Sequence, residues 1–207
     1  MSCSNQYKHL TCYLLNVRSL VNKLSQLYYF LYSNQPDMFL VTETWLRPDI
    51  CSGLLDPCSK YHLIRKDRSE ARGGGVCVFV SRKFDIVSVN IDNQFSSLEL
   101  LCFDLVTSTS RLRVFVVYRP PQYHNTAISY MKLLVDCLDR YVNKSLTNII
   151  TGDFNCPGVN WSTLSCPNDN IQNIFVDFVV YSGFSQCVKF ATRGRNTLDL
   201  VLVDDNN

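Results

Sequence analysis

The stretch TGDFNCPGVNW, residues 151–161, follows Asn148-Ile149-Ile150 and sets Asp153 and Asn155 two residues apart. Apolar residues before it are typical of a buried strand, and the proline and glycine within it are typical of a turn. Because residues two apart in a strand point to the same side, we expect Asp153 and Asn155 to project together from a strand end. An Asx-turn that only closes the loop is the alternative.

Composition restricts the class of protein. The chain has 207 residues, of which 46% are hydrophobic, so it can bury the core of a single domain spanning residues 1–207. A formal charge of +2 indicates no strongly basic surface, and any DNA contact must therefore be local. The ten cysteines form no Cys-x-x-Cys pair, which indicates free thiols in a reducing compartment. No segment is apolar enough to span a bilayer, so we expect an intracellular protein without membrane contact.

Hydrophobic periodicity predicts short strands and three helices. Leu20, Leu24, Leu27 and Leu31 share one face of a helix, with Ser19 as its expected N-cap. Further helices are expected at about 126–142 and 170–182, and strands at 11–16, 38–43, 75–81, 84–89, 97–106, 111–118, 147–152, 186–192 and 197–203. The turns between 75 and 118 are short enough for an antiparallel meander. We expect an α/β fold, a four-layer sandwich of two mainly antiparallel β-sheets flanked by helices.

Six polar residues lie at or near the ends of the predicted strands. Each of them alone can be explained as a turn or rim residue. Together they suit phosphodiester hydrolysis, because carboxylate and amide oxygens bind a hard divalent cation, a carboxylate can orient water, and neutral donors can hold a phosphate. The six are Asn16, Glu43, Tyr118, Asp153, Asn155 and Asp199.

Five motifs, in order, resemble those of the exonuclease-endonuclease-phosphatase superfamily, which includes apurinic/apyrimidinic endonucleases. They are NVRSL (16–20), ETWL (43–46), VYRPP (117–121), GDFN (152–155) and TLDLV (197–201). Within this superfamily, ETWL, RGGGV (72–76), VYRPP and GDFNCPGVNW (152–161) resemble the endonuclease domain of animal non-LTR (LINE-type) retrotransposons. The resemblance implies a Mg²⁺-dependent enzyme, with Mn²⁺ as an alternative ion, that nicks double-stranded DNA for target-primed reverse transcription. It also implies a downstream reverse transcriptase domain in a parent polyprotein and action in the nucleus.

The resemblance assigns a role to each residue that matches a motif. Glu43 would be the principal ligand of the metal ion, with Asn16 beside it. Asp153 would orient or deprotonate the attacking water, Asn155 would hold the scissile phosphate, and Tyr118 would donate its hydroxyl to that phosphate. Asp199 would hydrogen-bond a histidine and fix its tautomer.

Basic and aromatic residues near the motifs are candidates for DNA contacts. For each basic residue the alternative is ordinary solvated charge. Trp45 and Trp161 could stack on bases or pack beside the site. Gly73-Gly74-Gly75 is expected to be a tight strand connection, since no phosphate-loop lysine follows it. The basic candidates are Arg18, Lys23, Arg119, Arg193 and Arg195.

The chain departs from the family at its C-terminus. Relatives carry a closing Ser-Asp-His motif on a further strand, whereas this sequence reads Asp204-Asp205-Asn206-Asn207, and His9, His62 and His124 match no catalytic position. We therefore expect a domain truncated at the C-terminus and missing its C-terminal strand. Three hypotheses remain: a DNA-nicking endonuclease, a same-fold phosphodiesterase acting on lipid, inositol phosphate or RNA, and a catalytically silent remnant that at most binds DNA.

Overall fold

The computed structural model describes residues 9–68, 72–121 and 126–204. Within these ranges the chain forms three α-helices and ten strands in two sheets. The smaller sheet has the order β1-β2-β4-β3 and the larger the order β5-β6-β7-β8-β10-β9. The elements are β1 (Cys12–Asn16), α1 (Leu24–Asn34), β2 (Met38–Thr42), β3 (Tyr61–Lys66), β4 (Val76–Ser81), β5 (Asp85–Ser88), β6 (Glu99–Val106), β7 (Arg111–Tyr118), α2 (Thr126–Tyr141), β8 (Thr147–Asp153), α3 (Asn170–Tyr181), β9 (Phe184–Gln186) and β10 (Asp199–Asp204).

The pairing of the strands agrees with the expected sandwich. Neighbouring strands are antiparallel except for the β1–β2 and β7–β8 pairs, which are parallel. Parallel neighbours need a crossover, and α1 and α2 provide the two crossovers. The two sheets are therefore mainly antiparallel, as the periodicity predicts.

Three buried clusters separate the four layers. In β2, Met38 and Leu40 face the larger sheet, whereas Phe39 and Val41 face α1, because successive side chains alternate between the two faces. The opposite face of the larger sheet packs against α2 and α3. Strands buried on both faces explain the nearly continuous apolar runs in the sequence.

The start of α1 differs from the prediction. Val21–Lys23 form a 3₁₀ turn and α1 begins at Leu24, with no side-chain cap at either N-terminus. The prediction of Ser19 as N-cap is wrong, because Ser19 has a φ of 83° and its N–H donates to the carbonyl of Glu43 at 2.9 Å. Ser19 belongs to a loop tied to the end of β2.

The predicted four-strand meander is wrong by one strand. β5, β6 and β7 do form an antiparallel meander, but β4 pairs with β2 and β3 in the other sheet. The short turn after Ser81 thus carries the chain from one sheet to the other. Edge strand β3 was not predicted, because YHLIRK carries polar residues along an edge that tolerates them.

The strand expected at 186–192 is also displaced. β9 ends at Gln186, whose side chain accepts from the N–H of Val188 at 2.5 Å and donates to the carbonyl of Val188 at 2.7 Å. These two bonds close a local turn and end the strand. Cys187 still donates its N–H to the carbonyl of Val201 in β10 at 2.8 Å, and the strand does not continue to residue 192.

Two composition-based expectations can be compared with the described residues. Their nine cysteines are all free thiols. None of the helices in these ranges is both long and apolar enough to traverse a bilayer.

Candidate active site

Polar strand ends from both sheets meet at one end of the sandwich. In the smaller sheet Asn16 pairs in register with Thr42, so β1 and β2 end together, and Glu43 follows directly. In the larger sheet Asp153 pairs with Tyr118 on one side and with Asp199 on the other. The fold thereby collects residues that are far apart in the sequence.

Asn16 connects the two sheets. Its amide nitrogen donates to Glu43 Oε1 at 2.9 Å and to Asp153 Oδ2 at 2.8 Å. Because both carboxylates accept from the amide nitrogen, neither of them uses the amide oxygen. Asn16 Oδ1 is buried and has no hydrogen-bond partner among the described residues. A buried oxygen without a hydrogen-bond partner is available to contact a bound ion or water molecule.

Left-handed backbone conformations are concentrated around these residues. Such conformations cost free energy outside glycine and are typical of functional sites. Eight non-glycine residues in the described ranges have positive φ, and five of them are Arg18, Ser19, Glu43, Trp45 and Asn155. The loops that follow β1, β2 and β8 are therefore held in conformations that the surrounding contacts must stabilise.

Asp153 and Asn155 are placed by a turn rather than by the pleat. β8 ends at Asp153, and Asn155 lies beyond it with a φ of 46°. The N–H of Asn155 donates to Asp153 Oδ1 at 3.1 Å, which is an Asx-turn. The expectation that both side chains project from one strand is therefore wrong, and the Asx-turn forms instead. Both side chains nevertheless contact Arg193 in the site.

Gly152 allows β7 and β8 to approach closely beside the site. Its φ is 143°, and a Cβ built there would overlap the carbonyl oxygen of Val117. Only glycine fits this position without displacement of β7. The close approach fixes Tyr118 beside Asp153.

Asp153 is completely buried and has three hydrogen-bond donors, Asn16, Asn155 and Arg193. Burial raises the pKa of Asp153 above its usual range, against the opposing hydrogen bond from Asn16, and the charge of Asp199 raises it further. A carboxylate with raised proton affinity suits a group that orients or deprotonates water.

Tyr118 retains its proton in this site. Its side chain is buried, at 4% exposure. Burial, followed by the nearby Glu43 carboxylate, raises the pKa of Tyr118 well above its usual range. The hydroxyl is therefore a hydrogen-bond donor at neutral pH.

Arg193 lies within the site. Its guanidinium donates to Asp153 Oδ2 at 3.0 Å and to Asn155 Oδ1 at 3.2 Å, with 38% of the side chain exposed. The ion pair offsets part of the charge of the buried carboxylate. A phosphate that contacts Arg193 would therefore lie next to Asp153 and Asn155.

Arg119 supports the loop that carries Asn155. It is 4% exposed, and its guanidinium donates to the carbonyls of Phe154 and Asn155 at 3.2 and 3.0 Å. The Asn155 amide in turn donates to the carbonyl of Arg119 at 2.8 Å. This burial does not fit the predicted contact between Arg119 and the DNA backbone.

The other basic candidates lie nearer the surface. Arg18 is exposed, and Arg195 is exposed in the turn between Arg193 and Asn196. Lys23 donates to the carbonyls of Val17 and Arg18 at 2.5 and 3.0 Å, so its ammonium stabilises the loop after β1.

Asp199 has no histidine partner among the described residues, although the resemblance implies one. Its Oδ1 is buried, and no residue of the described ranges donates to it. His62 pairs with Val80, near the end of β4 remote from the site, and His9 precedes the remote end of β1. The third histidine, His124, lies outside the described residues.

Glu99, at the start of β6, fixes the loop beside the site, a role that none of the sequence motifs indicated. Its buried carboxylate accepts from Arg68 and from the N–H of Gly75. This contact fixes the glycine loop, whose three residues Gly73–Gly75 all have positive φ, as a tight strand connection. A lone glutamate inside the apolar run SLELLCF is the signal that could have identified it.

The two tryptophans have different surroundings. Trp161 donates to the carbonyl of Thr197 at 3.3 Å and packs edge-on against Phe175, so it contributes to the core. Trp45 is half-buried and donates to Glu43 Oε2 at 3.3 Å. Packing therefore accounts for Trp161, whereas Trp45 contacts the site.

The residues present fit a hard divalent cation with few protein ligands. The described residues contain no group of three His, Cys, Asp or Glu side chains arranged for a metal. Glu43 and the orphaned Asn16 Oδ1 supply one carboxylate and one amide oxygen. Mg²⁺ is suited to such a set, because it retains waters and completes its shell with substrate phosphate.

Comparison with known proteins gives a family match over part of the chain and similar folds over nearly all of it. Residues 112–207 match the family model described as endonuclease-reverse transcriptase. No curated protein sequence matches the chain.

Solved structures resemble almost the whole chain. The 3′-5′ exonuclease NExo of Neisseria meningitidis is 15% identical with a TM-score of 0.71, over 94% of this chain and 87% of that one. The endonuclease domain of TRAS1, a telomere-specific non-LTR retrotransposon, is 13% identical with a TM-score of 0.67, over 95% and 85%. An AP endonuclease of Archaeoglobus fulgidus is 14% identical with a TM-score of 0.67, over 94% and 86%. The chain therefore has the fold of these nucleases, and its residues 112–207 match the endonuclease-reverse transcriptase family model.

Proposed function

We propose that this chain is a DNA endonuclease domain that hydrolyses one phosphodiester bond in double-stranded DNA with Mg²⁺ or Mn²⁺ as cofactor. The observation that carries the proposal is the Asn16 amide, which bonds Glu43 and Asp153 at one end of both sheets and leaves its own oxygen without a partner. Resemblance to the TRAS1 endonuclease domain, and to a NExo structure that contains a product DNA hairpin, supports DNA as substrate.

The roles of the side chains follow from their hydrogen-bonding capacity. Glu43 and Asn16 would hold the cation, which stabilises charge on the phosphate. Asp153 would orient the attacking water and accept its proton, since its raised pKa favours protonation. Tyr118 would donate to the phosphate, and so would Asn155, whose amide uses one N–H for the carbonyl of Arg119 and has a second free.

We infer that the parent protein is a non-LTR retrotransposon polyprotein. The nick would leave a 3′ hydroxyl that primes a downstream reverse transcriptase, and the reaction would take place on chromosomal DNA in the nucleus. The family description, endonuclease-reverse transcriptase, and the resemblance to TRAS1 support this assignment.

One observation favours a second candidate, a catalytically silent domain that binds DNA. Arg193 bonds both Asp153 and Asn155, which catalysis requires to be available to water and phosphate. In an active enzyme this arginine must exchange those contacts for the substrate phosphate.

An assay of the product ends separates the candidates. The chain is incubated with a labelled DNA duplex and Mg²⁺, and the nicked product is offered to a DNA polymerase. Extension from the nick is expected, because a 3′ hydroxyl is the required product. Parallel reactions use duplex RNA and phospholipid vesicles; hydrolysis of either, without DNA nicking, would indicate the same-fold phosphodiesterase. Binding without hydrolysis of any substrate would indicate the silent domain.

A further inference from the structure

A polar cavity of about 890 Å³ lies beside Glu43, between the segment that follows β2 and the described residues Arg68, Arg72 and Gly73. Its lining includes Trp45, Arg47, Arg68 and Arg72. We propose that this cavity binds the sugar-phosphate backbone of the DNA strand next to the reacting phosphate, with Arg72 as the phosphate contact. The proposal rests on the proposed function, because it takes DNA as the substrate.

Trp45 makes the cavity continuous with the active site. Its indole N–H donates to Glu43 Oε2 at 3.3 Å, so one edge of the ring contacts the expected metal ligand. Its backbone N–H donates to the carbonyl of Gly74 at 2.9 Å, which joins this segment to the glycine loop. Trp45 therefore forms the shared wall of the site and the cavity.

The three arginines of the cavity differ in their ion pairs. Arg68 pairs with the buried carboxylate of Glu99, and Arg47 pairs with Asp49 at 2.9 Å. Arg72 makes no ion pair with the residues that the structure describes; its guanidinium lies over the Trp45 ring, 5.5 Å from the centroid. Among the residues that the structure describes, local pairing therefore leaves one positive charge of this cavity, that of Arg72, without an ion pair.

The chemistry of Arg72 suits a phosphodiester. A guanidinium stacked on an indole is pre-oriented and keeps its N–H groups free for phosphate oxygens. The side chain is exposed, so a strand that enters the cavity can reach it. The walls of the cavity are more polar than apolar, which favours a charged backbone over an apolar ligand.

The test measures binding of a short DNA duplex by fluorescence anisotropy, with Ca²⁺ in place of Mg²⁺, at several salt concentrations. Arg72→Ala is compared with Arg82→Ala, which removes the same charge at the remote end of β4, where the Arg82 guanidinium donates to the carbonyl of Ser59 and contacts His62. Arg72→Ala should weaken binding about fivefold or more. It should also reduce the slope of log affinity against log salt concentration by about 0.9, the value for one phosphate contact.

Further variants and readouts make the outcome decisive. Arg72→Lys should restore the salt slope, because it keeps the charge, and unchanged thermal unfolding of Arg72→Ala would show that it folds. Equal affinity and salt slope in Arg72→Ala and Arg82→Ala would overturn the proposal, as would a lack of DNA binding by the unsubstituted chain. Arg72-dependent binding without nicking would support this proposal while contradicting the proposed activity.

Discussion

Replacing Asn16 by alanine should destabilise the protein, because this side chain bonds carboxylates at the ends of strands in different sheets. The variant loses two hydrogen bonds, of 2.9 Å to Glu43 and 2.8 Å to Asp153. Asp153 is completely buried, so losing a donor to its carboxylate costs about 1.5–3 kcal/mol. Glu43 is half-buried and water can replace its donor, which adds about 0.5–1 kcal/mol.

The expected loss in unfolding free energy is therefore about 2–4 kcal/mol. Urea denaturation measures it: with an m-value of about 2 kcal/mol/M, the midpoint falls by about 1–2 M. Mg²⁺ should raise the midpoint of the unsubstituted chain by binding the native state, and should do so less in the variant, which lacks the amide oxygen.

Asn34→Ala is the matched control. Asn34 is exposed at the end of α1 and makes one bond, to the carbonyl of Phe30. Its loss should change the unfolding free energy by no more than about 0.5 kcal/mol. Equal effects of Asn16→Ala and Asn34→Ala would refute the bridging role, and an equal response to Mg²⁺ in Asn16→Ala and the unsubstituted chain would remove Asn16 from the metal site.

Three further changes test the site and its surroundings. Burial raises the pKa of Asp153 in the native state, so the carboxyl holds its proton to higher pH than in the unfolded chain, and its contribution to stability should fall as pH rises through the native pKa. The stability difference between the unsubstituted chain and Asp153→Asn, measured by urea denaturation from about pH 4 to 8, should decrease with pH; an increase would contradict this. Gly152→Ala should lower the unfolding free energy by about 3 kcal/mol, because the added Cβ would overlap the Val117 carbonyl. Gly183 has open space around it, so Gly183→Ala should lower it by only about 1 kcal/mol. Equal shifts in the thermal unfolding of the two variants would disprove the close approach of β7 and β8. By the family resemblance, a chain extended through a Ser-Asp-His segment should nick DNA about 10²–10⁴-fold faster than residues 1–207, since a histidine would then join Asp199; equal nicking rates would remove Asp199 from that role.

Much of the fold could be predicted because its strands are apolar on both faces. Runs such as MFLVT and VCVFVS are unambiguous, and the helical spacing of Leu24, Leu27 and Leu31 locates α1. Edge strand β3 lacks such a run, so its place depends on pairing with β4. The division of β4 and β5 between two sheets also depends on tertiary packing, which local periodicity does not contain.

The candidate site could be predicted as residue types but not as contacts. Strand ends and motifs located Asn16, Glu43 and Asp153, whereas the Asn16 amide that joins the carboxylates spans 137 residues of sequence to reach Asp153. Asn155 was expected on a strand, but the backbone turns first and places it by an Asx-turn. Arg119, next to Tyr118 in the motif, is buried, and its guanidinium donates hydrogen bonds to the carbonyls of Phe154 and Asn155 just after β8.

Nicking of supercoiled plasmid DNA is the direct assay for Mg²⁺-dependent endonuclease activity with Glu43 as a metal ligand. The unsubstituted chain is assayed with Mg²⁺ and with excess chelator, beside Glu43→Gln, which keeps the shape of the side chain and removes the charge that would hold the cation. Relaxed circles are expected only for the unsubstituted chain with Mg²⁺. Nicking that persists in the chelator, or equal nicking rates for the unsubstituted chain and Glu43→Gln, would contradict it.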